Sequence, residues 1–242
     1  MGKTVVIGAS GGIGRALVAR LCEGRADDPA AGPVVALSRG PCPLPAPATG
    51  GRIDLTDEAT IREAAARVAG DGIPVARVIV ASGVLHGPGI TPEKALKALD
   101  PDALAFLFAV NATGPALVAK HFVPLLPRTG RCVFAALSAR VGSIGDNRLG
   151  GWYGYRASKA ALNQILRTLA IEVARTRPEA VVAGLHPGTV TTDLSGPFHP
   201  DPDQPGVFTP AEAAANLLAV LDGLTPAETG QVIAWDGRPV PP

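Results

Sequence analysis

The chain has 242 residues, of which 47% are hydrophobic and 18% are charged, so it can bury a full core and is not disordered throughout. Its formal net charge of +1 leaves no basic field to recruit nucleic acid or an anionic membrane surface. Its three cysteines lack the spacing of a metal site or a disulfide framework, and no apolar run approaches the roughly 18 residues of a transmembrane helix. We therefore expect a cytoplasmic protein with no metal site, no membrane association and no nucleic-acid partner.

Short apolar runs rich in β-branched residues alternate with longer helical patterns along the whole chain. This alternation predicts one α/β domain over 1–242, with a doubly wound parallel sheet of about seven strands and helices on both faces. The predicted strands cover 4–7, 34–37, 52–55, 75–81, 131–137, 181–185 and 231–235. The predicted helices cover 13–21, 56–68, 92–99, 101–126, 155–176 and 210–221.

Proline, glycine and capping residues set the expected boundaries of these elements. The stretch 41–51 is rich in Pro, Ala and Gly and predicts a loop, and Thr56 is the expected N-cap of the second helix. Pro115 is expected to kink the long helix 101–126. The proline-rich segment 195–210 is expected to form an irregular loop or lid on the substrate side.

A glycine-rich loop joins the first predicted strand to the first helix. Its sequence, from Gly8 to Gly14, is Gly-Ala-Ser-Gly-Gly-Ile-Gly. Glycines there permit a tight turn and a close backbone approach to a pyrophosphate, and the N-terminus of the following helix favours an anion. The loop therefore predicts a phosphate cradle, with a ligand-free glycine turn as the alternative.

Two charged residues follow the next strands. Arg39 stands just past the second strand, where an acidic residue would bind the 2′-hydroxyl of NAD and an arginine accommodates the 2′-phosphate of NADP. No acid stands at the end of this strand, so NADP(H) is favoured and NAD(H) stays possible; a solvated surface arginine is the other interpretation. Asp54 follows the third predicted strand and is either a cofactor contact or an ordinary turn residue.

Tyr155 and Lys159 are four residues apart on a predicted helix, so their side chains share one face. A nearby ammonium stabilises a phenolate, lowers the phenol pKa and makes the phenol a usable acid near neutral pH. Tyr153 is a rival phenol, but Ala157 occupies its i+4 position. Ser138 ends the fifth strand, at the sheet edge that lines a ligand crevice, where it is either a hydrogen-bond donor to a carbonyl or a turn residue.

These features occur in an order typical of one enzyme family. The chain carries, in sequence, the glycine loop, Asp54, Ser82-Gly83, Asn111, Ser138, the Tyr155/Lys159 pair and Pro187-Gly188. Together they resemble the short-chain dehydrogenase/reductase family over essentially the whole chain. The stretch 138–153 resembles its C-factor/sniffer subgroup, which includes carbonyl reductases and cell–cell signalling proteins. The resemblance implies a single Rossmann-type domain that binds a nicotinamide cofactor.

The resemblance also implies a role for each matching residue. Tyr155 would protonate the carbonyl, Lys159 would lower the pKa of Tyr155 and hold the nicotinamide ribose, and Ser138 would position the substrate oxygen. Asn111 would hold a water molecule in a proton relay, whereas a helical asparagine with a local hydrogen bond is the alternative. The implied cofactor contacts are Gly8, Ser10, Gly12, Ile13, Gly14, Arg39, Asp54, Leu55, Ser82, Gly83, Asn111, Tyr155, Lys159, Pro187, Gly188, Val190 and Thr192.

The sequence departs from the family pattern in two places. After the fourth strand the family usually has Asn-Asn-Ala-Gly, whereas this chain has Val80-Ala81-Ser82-Gly83. Any support that those asparagine side chains give to the site is therefore missing. The interval between Ser138 and Tyr155 is 17 residues (155 minus 138), which is longer than usual and predicts a bulge around 146–151. Ser143 is nearer to Tyr155 in sequence, but Ser138 is preferred because it directly follows the apolar strand.

The substrate side and the assembly are less constrained by sequence. The helices that contain Asn111 and Tyr155 expose small and apolar residues such as Ala105, Val118, Ala170 and Ile171. The resemblance implies that such helices form subunit contacts, so a homo-oligomer (dimer or tetramer) is expected. His86 and His186 are expected to be structural. If the pocket candidates converge, the pocket is apolar and favours a hydrophobic ketone or aldehyde, with ordinary core or loop packing as the alternative for each. These candidates are Leu85, His86, Val141, Ile144, Trp152, Phe198 and Phe208.

The resulting hypothesis is an NADP(H)-dependent oxidoreductase that interconverts a carbonyl and an alcohol, with Tyr155 as general acid/base. The alternative, from another class, is an NADP(H)-binding signalling or regulatory protein with little or no turnover. Epimerase or dehydratase chemistry is less favoured because the chain lacks the C-terminal substrate domain of such relatives.

Overall fold

The computed structural model describes residues 2–27, 32–198, 201 and 204–242. Its helices are α1 (Gly12–Asp27), α2 (Glu58–Ala69), α3 (Pro101–Phe108), α4 (Gly114–Phe122), α5 (Tyr153–Ala174) and α6 (Pro210–Gly223). Its strands are β1 (Lys3–Ile7), β2 (Val34–Ser38), β3 (Thr49–Arg52), β4 (Val75–Val80), β5 (Cys132–Leu137), β6 (Ala180–His186), β7 (Thr189–Val190), β8 (Val207–Phe208) and β9 (Val232–Ala234).

Seven of these strands form one parallel sheet in the order β3-β2-β1-β4-β5-β6-β9. The strand order reverses between β1 and β4, which is the point at which doubly wound sheets bind ligands. β1 and β5 are buried along their whole length or nearly so, because helices cover both faces of the sheet. The predicted fold class, a Rossmann-type doubly wound α/β sheet, is confirmed.

Two apolar cores lie on opposite faces of the sheet. On one face α2, α4 and α5 pack over side chains such as Val78 and Phe134. On the other face α1 and α6 pack together over side chains such as Val6 and Ile79. The alternating residues of each strand serve the two cores in turn, which is why the sequence runs of these strands are continuously apolar.

The third strand lies at Thr49–Arg52, so its predicted position at 52–55 and the predicted loop over 41–51 are both wrong there. Gly50 and Gly51 pair with β2, and a Cβ on Gly51 would lie 2.8 Å from Leu37 Cδ2, so a larger residue there would displace the end of that side chain. Because glycine is typical of loops, the two glycines of this short edge strand led to the prediction of a loop.

Thr56 is not the cap of α2. Asp57 occupies that position and accepts a hydrogen bond from the Ala59 N–H at 3.0 Å, whereas Thr56 bonds to the side chain of Asp54. The predicted helix over 92–99 is also absent, and only a 3-10 turn at Leu96–Ala98 is formed. Glu93 in that segment is buried instead of following a helical face.

The long helix departs from α geometry just before Pro115, at a π-helical turn, Ala109–Thr113. Pro115 falls in the first turn of α4, where its missing N–H is tolerated, so the predicted irregularity is a π turn instead of a proline kink. The helical stretch Pro101–Leu125 has the length and composition of a membrane span, which corrects the expectation that no apolar run approaches that size. Leu107, Val118 and Phe122 on it are nonetheless buried in the protein.

Some residues expected at a subunit contact lie inside the protein. Val118 and Ala170 are 0% and 2% exposed and belong to the core, whereas Ala105 and Ile171 are exposed. Of the predicted lid 195–210, the structure describes a 3-10 turn at Gly196–Phe198 and β8, which pairs in parallel with β7; residues 199, 200, 202 and 203 lie outside the described part.

Candidate active site

The carboxyl ends of the central strands open onto a cleft with two adjoining sections of about 830 and 780 Å³. Ser10, Ser82 and Gly83 line both sections. The first section is further lined by Gly8, Arg39, Asp54 and Leu55. The second is further lined by Gly12, Ile13, Ser138, Tyr155, Lys159, Pro187 and Thr192. The fold thus brings most of the predicted site residues to one edge of the sheet.

Four predicted site residues do not line the cleft. Gly14 is buried beneath the glycine loop, and Asn111 is fully buried in the π turn. Val190 is 5% exposed in β7. Gly188 forms a turn with φ +78, where a Cβ would lie 2.8 Å from a ring atom of Phe208. These residues lie behind the residues that line the cleft.

The glycine loop has room only for backbone. A Cβ on Gly8 would lie 2.5 Å from Ser82 Oγ, and one on Gly14 would lie 2.1 Å from the carbonyl oxygen of Gly8. Gly12 faces Thr192, whose Cγ2 would be 2.6 Å from a Cβ there. The free backbone and the N-terminus of α1 leave a cradle that fits the pyrophosphate of a dinucleotide.

Asp54 and Arg39 both line the first section of the cleft. The backbone N–H of Thr56 donates to the Asp54 carboxylate at 3.0 Å and holds the pKa of that carboxyl below its usual range, with smaller contributions from the Thr56 hydroxyl and from Arg39 and Arg52. Asp54 is therefore a turn residue that also faces the cleft. Arg39 is exposed at the end of β2.

Tyr155 and Lys159 are buried on the first turns of α5, at 8% and 3% exposed. The Lys159 Nζ lies 5.8 Å from the centre of the Tyr155 ring and donates to the carbonyl oxygen of Leu137 at 2.8 Å. Burial raises the pKa of Tyr155 to about 12 and lowers the pKa of Lys159 to about 8. The expectation of a lowered phenol pKa is wrong for this state of the site, because loss of hydration disfavours the charged form of both groups.

Asn111 joins the loop after β4 to α5. It accepts from the Val84 N–H and donates to the Val84 carbonyl, both at 2.8 Å, and it donates to Ser158 Oγ at 3.1 Å. Its partners are distant in sequence, so the interpretation of a merely local hydrogen bond is wrong. A Cβ on Gly83 would lie 3.3 Å from Lys159 Nζ and 3.6 Å from Asn111 Oδ1, so this glycine lets the loop approach the pair.

Ser138 follows β5 and donates from its hydroxyl to Asn163 Oδ1 at 2.5 Å. Ser143, its rival in the sequence, donates instead to the carbonyl oxygen of Pro242 at 3.3 Å and does not line the cleft. Asn163 was missed by sequence reasoning. It lies eight residues after Tyr155, which places both on one face of α5, and that spacing was the available signal.

Three of the predicted substrate-side residues form an aromatic row above Tyr155. The Trp152 ring is 6.3 Å from that of Tyr155 and 4.9 Å from that of Phe198, and Phe198 is 6.1 Å from His86. His86 Nε2 lies 3.0 Å from the carbonyl oxygen of Leu194. Of the three rings, only that of His86 lines the cleft, in its first section.

The remaining substrate-side candidates lie apart from this row. Phe208 pairs with Trp235 at 4.7 Å, Ile144 is 79% exposed, Leu85 is buried and Val141 lies in a 3-10 turn. His186 is largely buried, which lowers its pKa to about 4, and its Nδ1 has no hydrogen-bond partner among the described residues. Within those residues, no three His, Cys, Asp or Glu side chains are grouped to hold a metal ion.

The comparisons with known proteins agree with this geometry. The family model described as short chain dehydrogenase matches residues 3–203. The chain belongs to the short-chain dehydrogenase family. The resemblance seen in the sequence is thereby confirmed, and the protein is an oxidoreductase of this family.

Two curated relatives differ in character. The chain is 31% identical over 185 residues to 1-hydroxy-2-glutathionyl-2-methyl-3-butene dehydrogenase of Rhodococcus sp. (strain AD45), which covers 76% of each protein. It is 37% identical over 150 residues to the C-signal of Myxococcus xanthus, which covers 61% of this chain and 83% of that one.

Solved structures of this family superpose over nearly the whole chain. A short-chain dehydrogenase/reductase from Burkholderia multivorans with bound NADP has a TM-score of 0.81 at 28% identity, covering 99% of both chains. NADPH-bound carbonyl reductase from chicken fatty liver has a TM-score of 0.83 at 24% identity, covering 99% of this chain and 93% of that one. The carbonyl reductase Sniffer of D. melanogaster has a TM-score of 0.83 at 21% identity, covering 100% and 99%. At these identities the last two show the fold alone.

Proposed function

We propose that this oxidoreductase interconverts a ketone or aldehyde and an alcohol with NADP(H), and that Tyr155 is its general acid/base. One observation carries the proposal. The hydroxyl-bearing residues Tyr155 and Ser138 and the amine of Lys159 line the same section of the cleft as the glycine loop. When bound, the nicotinamide supplies or accepts a hydride. The side chains beside it then have to manage the proton and the negative charge on the substrate oxygen.

In the reducing direction, Tyr155 donates its phenolic proton to the substrate oxygen. Its pKa of about 12 keeps the phenol protonated near neutral pH, which is the state that a general acid needs. The ammonium of Lys159 is one helical turn away and offsets the negative charge left on the phenol oxygen. Ser138 turns its hydroxyl from Asn163 to the substrate oxygen and so helps to orient the carbonyl.

The preference for NADP(H) over NAD(H) rests on the end of β2. Arg39 is exposed there beside the first section of the cleft, and no carboxylate follows this strand to bind a ribose 2′-hydroxyl. A guanidinium pairs well with a phosphate. The Burkholderia multivorans neighbour with bound NADP supports the same choice.

The aromatic row of Trp152, Phe198 and His86 supports an apolar carbonyl substrate. The Trp152 ring stands next to Tyr155 and the other two rings continue from it, so a hydrophobic group on the substrate would pack against this row while its oxygen faces the phenol.

Replacement of Tyr155 tests the proposal. Purified protein is assayed with NADPH and a panel of aromatic and aliphatic ketones and aldehydes. Tyr155→Phe is expected to lower kcat by roughly 100- to 10,000-fold while NADPH binding persists, because the proton donor is lost and little shape is changed. Tyr153→Phe, which removes an exposed phenol from the same helix, is the matched control and should retain activity. Equal turnover by wild type and Tyr155→Phe would remove Tyr155 from the mechanism.

The likeness to the C-signal favours one other candidate, a dinucleotide-binding signalling protein with little turnover. That function predicts tight NADPH binding without oxidation across the panel, and a cellular phenotype that Tyr155→Phe leaves intact. The aligned acid, amine and serine favour the enzyme, because a protein that only binds the dinucleotide has no use for a proton donor there.

A further inference from the structure

Glu93 is a buried carboxylate that none of the steps above uses. It lies between β4 and α3 and is 4% exposed. The backbone N–H of Gly154, in the first turn of α5, donates to its two carboxylate oxygens at 3.3 and 3.2 Å. In the part of the chain that the structure describes, no Lys, Arg or His side chain forms an ion pair with it. The buried charge is therefore balanced by the N-terminus of the helix that carries Tyr155.

The start of α5 needs an acceptor from elsewhere in the chain. Its N-cap residue, Trp152, makes no capping side-chain hydrogen bond and has a left-handed backbone, with φ 50 and ψ 45. The first N–H groups of a helix have no partner within the helix and must find one outside it. Glu93 supplies that partner across 61 residues of sequence.

Glycine at position 154 permits this contact. A Cβ there would lie 2.8 Å from Glu93 Oε1 and 2.6 Å from Leu107 Cδ1, so any larger residue would push the carboxylate away. The backbone carbonyl of Glu93 also accepts from the Trp152 N–H at 2.5 Å. Glu93 thus holds two groups beside Tyr155. Its backbone carbonyl holds the strained Trp152, whose ring packs against Tyr155, and its carboxylate holds the N–H of Gly154.

We infer that Glu93 is a positioning residue for the reaction: it fixes the first turn of α5, and with it the Tyr155 hydroxyl and the Trp152 ring, against the cleft. The kinetic part of this inference rests on the proposed function, since it needs a measurable turnover. A shift of about 1 Å in a reacting group can lower the rate by about 100-fold.

The kinetic test compares Glu93→Ala and Glu93→Gln with wild type, using Glu63→Ala on the exposed face of α2 as the control. Glu93→Ala is expected to lower kcat by roughly 10- to 100-fold while the Kd for NADPH is unchanged. Glu93→Gln keeps an oxygen acceptor for the Gly154 N–H and should recover most of kcat. If Glu93→Ala does not fold, Glu93→Asp replaces it, because its shorter side chain withdraws the carboxylate from that N–H. Wild-type kinetics in Glu93→Ala, or equal losses of kcat and of NADPH affinity, would overturn the inference.

Amide hydrogen exchange tests the same contact without any turnover. Peptides that cover 152–158 are expected to exchange faster in Glu93→Ala than in wild type, whereas peptides from α2 and α6 keep their rates. Unchanged exchange at 152–158 would overturn the role of Glu93 even in an active enzyme. Absence of wild-type turnover with altered exchange would instead count against the proposed function and leave the positioning role supported.

Discussion

Single side chains at the cleft owe their chemistry to burial. Tyr155 and Lys159 are both removed from water, and burial moves their pKa values in opposite directions, to about 12 and about 8. The phenol is therefore held protonated, and the amine loses its proton more easily than an exposed lysine. Both effects are properties of the folded protein alone.

The lowered pKa of Lys159 predicts a pH-dependent stability. Between its folded pKa of about 8 and its ordinary value of 10.5, Lys159 binds more protons in the unfolded chain than in the native one, so its contribution to stability rises with pH. Relative to Lys159→Met, wild type should gain up to about 3 kcal/mol over this range. Urea unfolding of both proteins across the range measures the gain, with Lys97→Met at an exposed position as the control. A constant difference between wild type and Lys159→Met would contradict the prediction.

The position of Arg39 leads to a prediction about the choice between NADPH and NADH. Arg39→Ala should weaken NADPH binding by roughly 10- to 100-fold, because a hydrogen-bonded charge pair to the 2′-phosphate is lost. NADH binding should be unaffected, since NADH has no phosphate at that position. Fluorescence titration with each dinucleotide measures both affinities, with Arg62→Ala on α2 as the control. Equal NADH and NADPH affinities in wild type would refute the assignment.

The limits of sequence reasoning are clearest among these residues. Tyr155 and Lys159 were predictable because they are neighbours on one helix, and Ser138 and Arg39 because each follows a strand whose end meets the same sheet edge. Asn163 offered only its spacing from Tyr155, because its contact with Ser138 spans 25 residues. Glu93 contacts Gly154 across 61 residues, and no local pattern marks that contact. The raised pKa of Tyr155 was missed because burial depends on the whole fold.

Secondary structure elements were predicted best where they are long and apolar. The buried strands of the sheet followed from their continuous apolar runs. β3 was misplaced because Gly50 and Gly51 hide a strand inside a loop-like composition. In place of the expected helix over 92–99, the chain holds Glu93 against the first turn of α5. In each case a tertiary contact overrode a local preference.

Two glycines of α1 give a matched test at the level of this helix. Gly14→Ala places a methyl group 2.1 Å from the Gly8 carbonyl, and should cost about 1–3 kcal/mol of stability and weaken NADPH binding. Gly24→Ala meets no atom of the described residues within 4 Å and should instead stabilise the helix by about 0.5–1 kcal/mol. Denaturant unfolding of the two variants measures both effects. Equal stability of Gly14→Ala and Gly24→Ala would show that the loop can move aside.

At the scale of the whole molecule, α4 and α5 present an outer groove of about 850 Å³. Ile171, next to it on α5, is 51% exposed. We propose that this side is the contact of a homo-oligomer, although Val118 and Ala170, which also served the sequence prediction, are in the core. The groove is lined by residues that include Ala116, Lys120, Gln164, Ile165, Thr168 and Leu169.

Light scattering after size-exclusion chromatography tests the assembly. Wild type is expected to elute as a dimer or tetramer, and Ile171→Glu should shift the mass towards the monomer because a charge is then buried in the contact. Ile144→Glu changes an even more exposed isoleucine elsewhere and should leave the mass unaltered. A monomeric wild type would refute the proposal.

The π turn at Ala109–Thr113 lies between α3 and α4 and contains Asn111. Such a turn accommodates one residue more than the α-helix around it, and one residue corresponds to about 100° of rotation about the helix axis. Deleting a residue here would regularise the helix, but it would also swing Asn111 away from Val84 or turn α4 so that a different side of it met α5. A one-residue deletion in this turn is therefore expected to cost either the hydrogen bonds between Asn111 and Val84 or the present packing of α4 against α5.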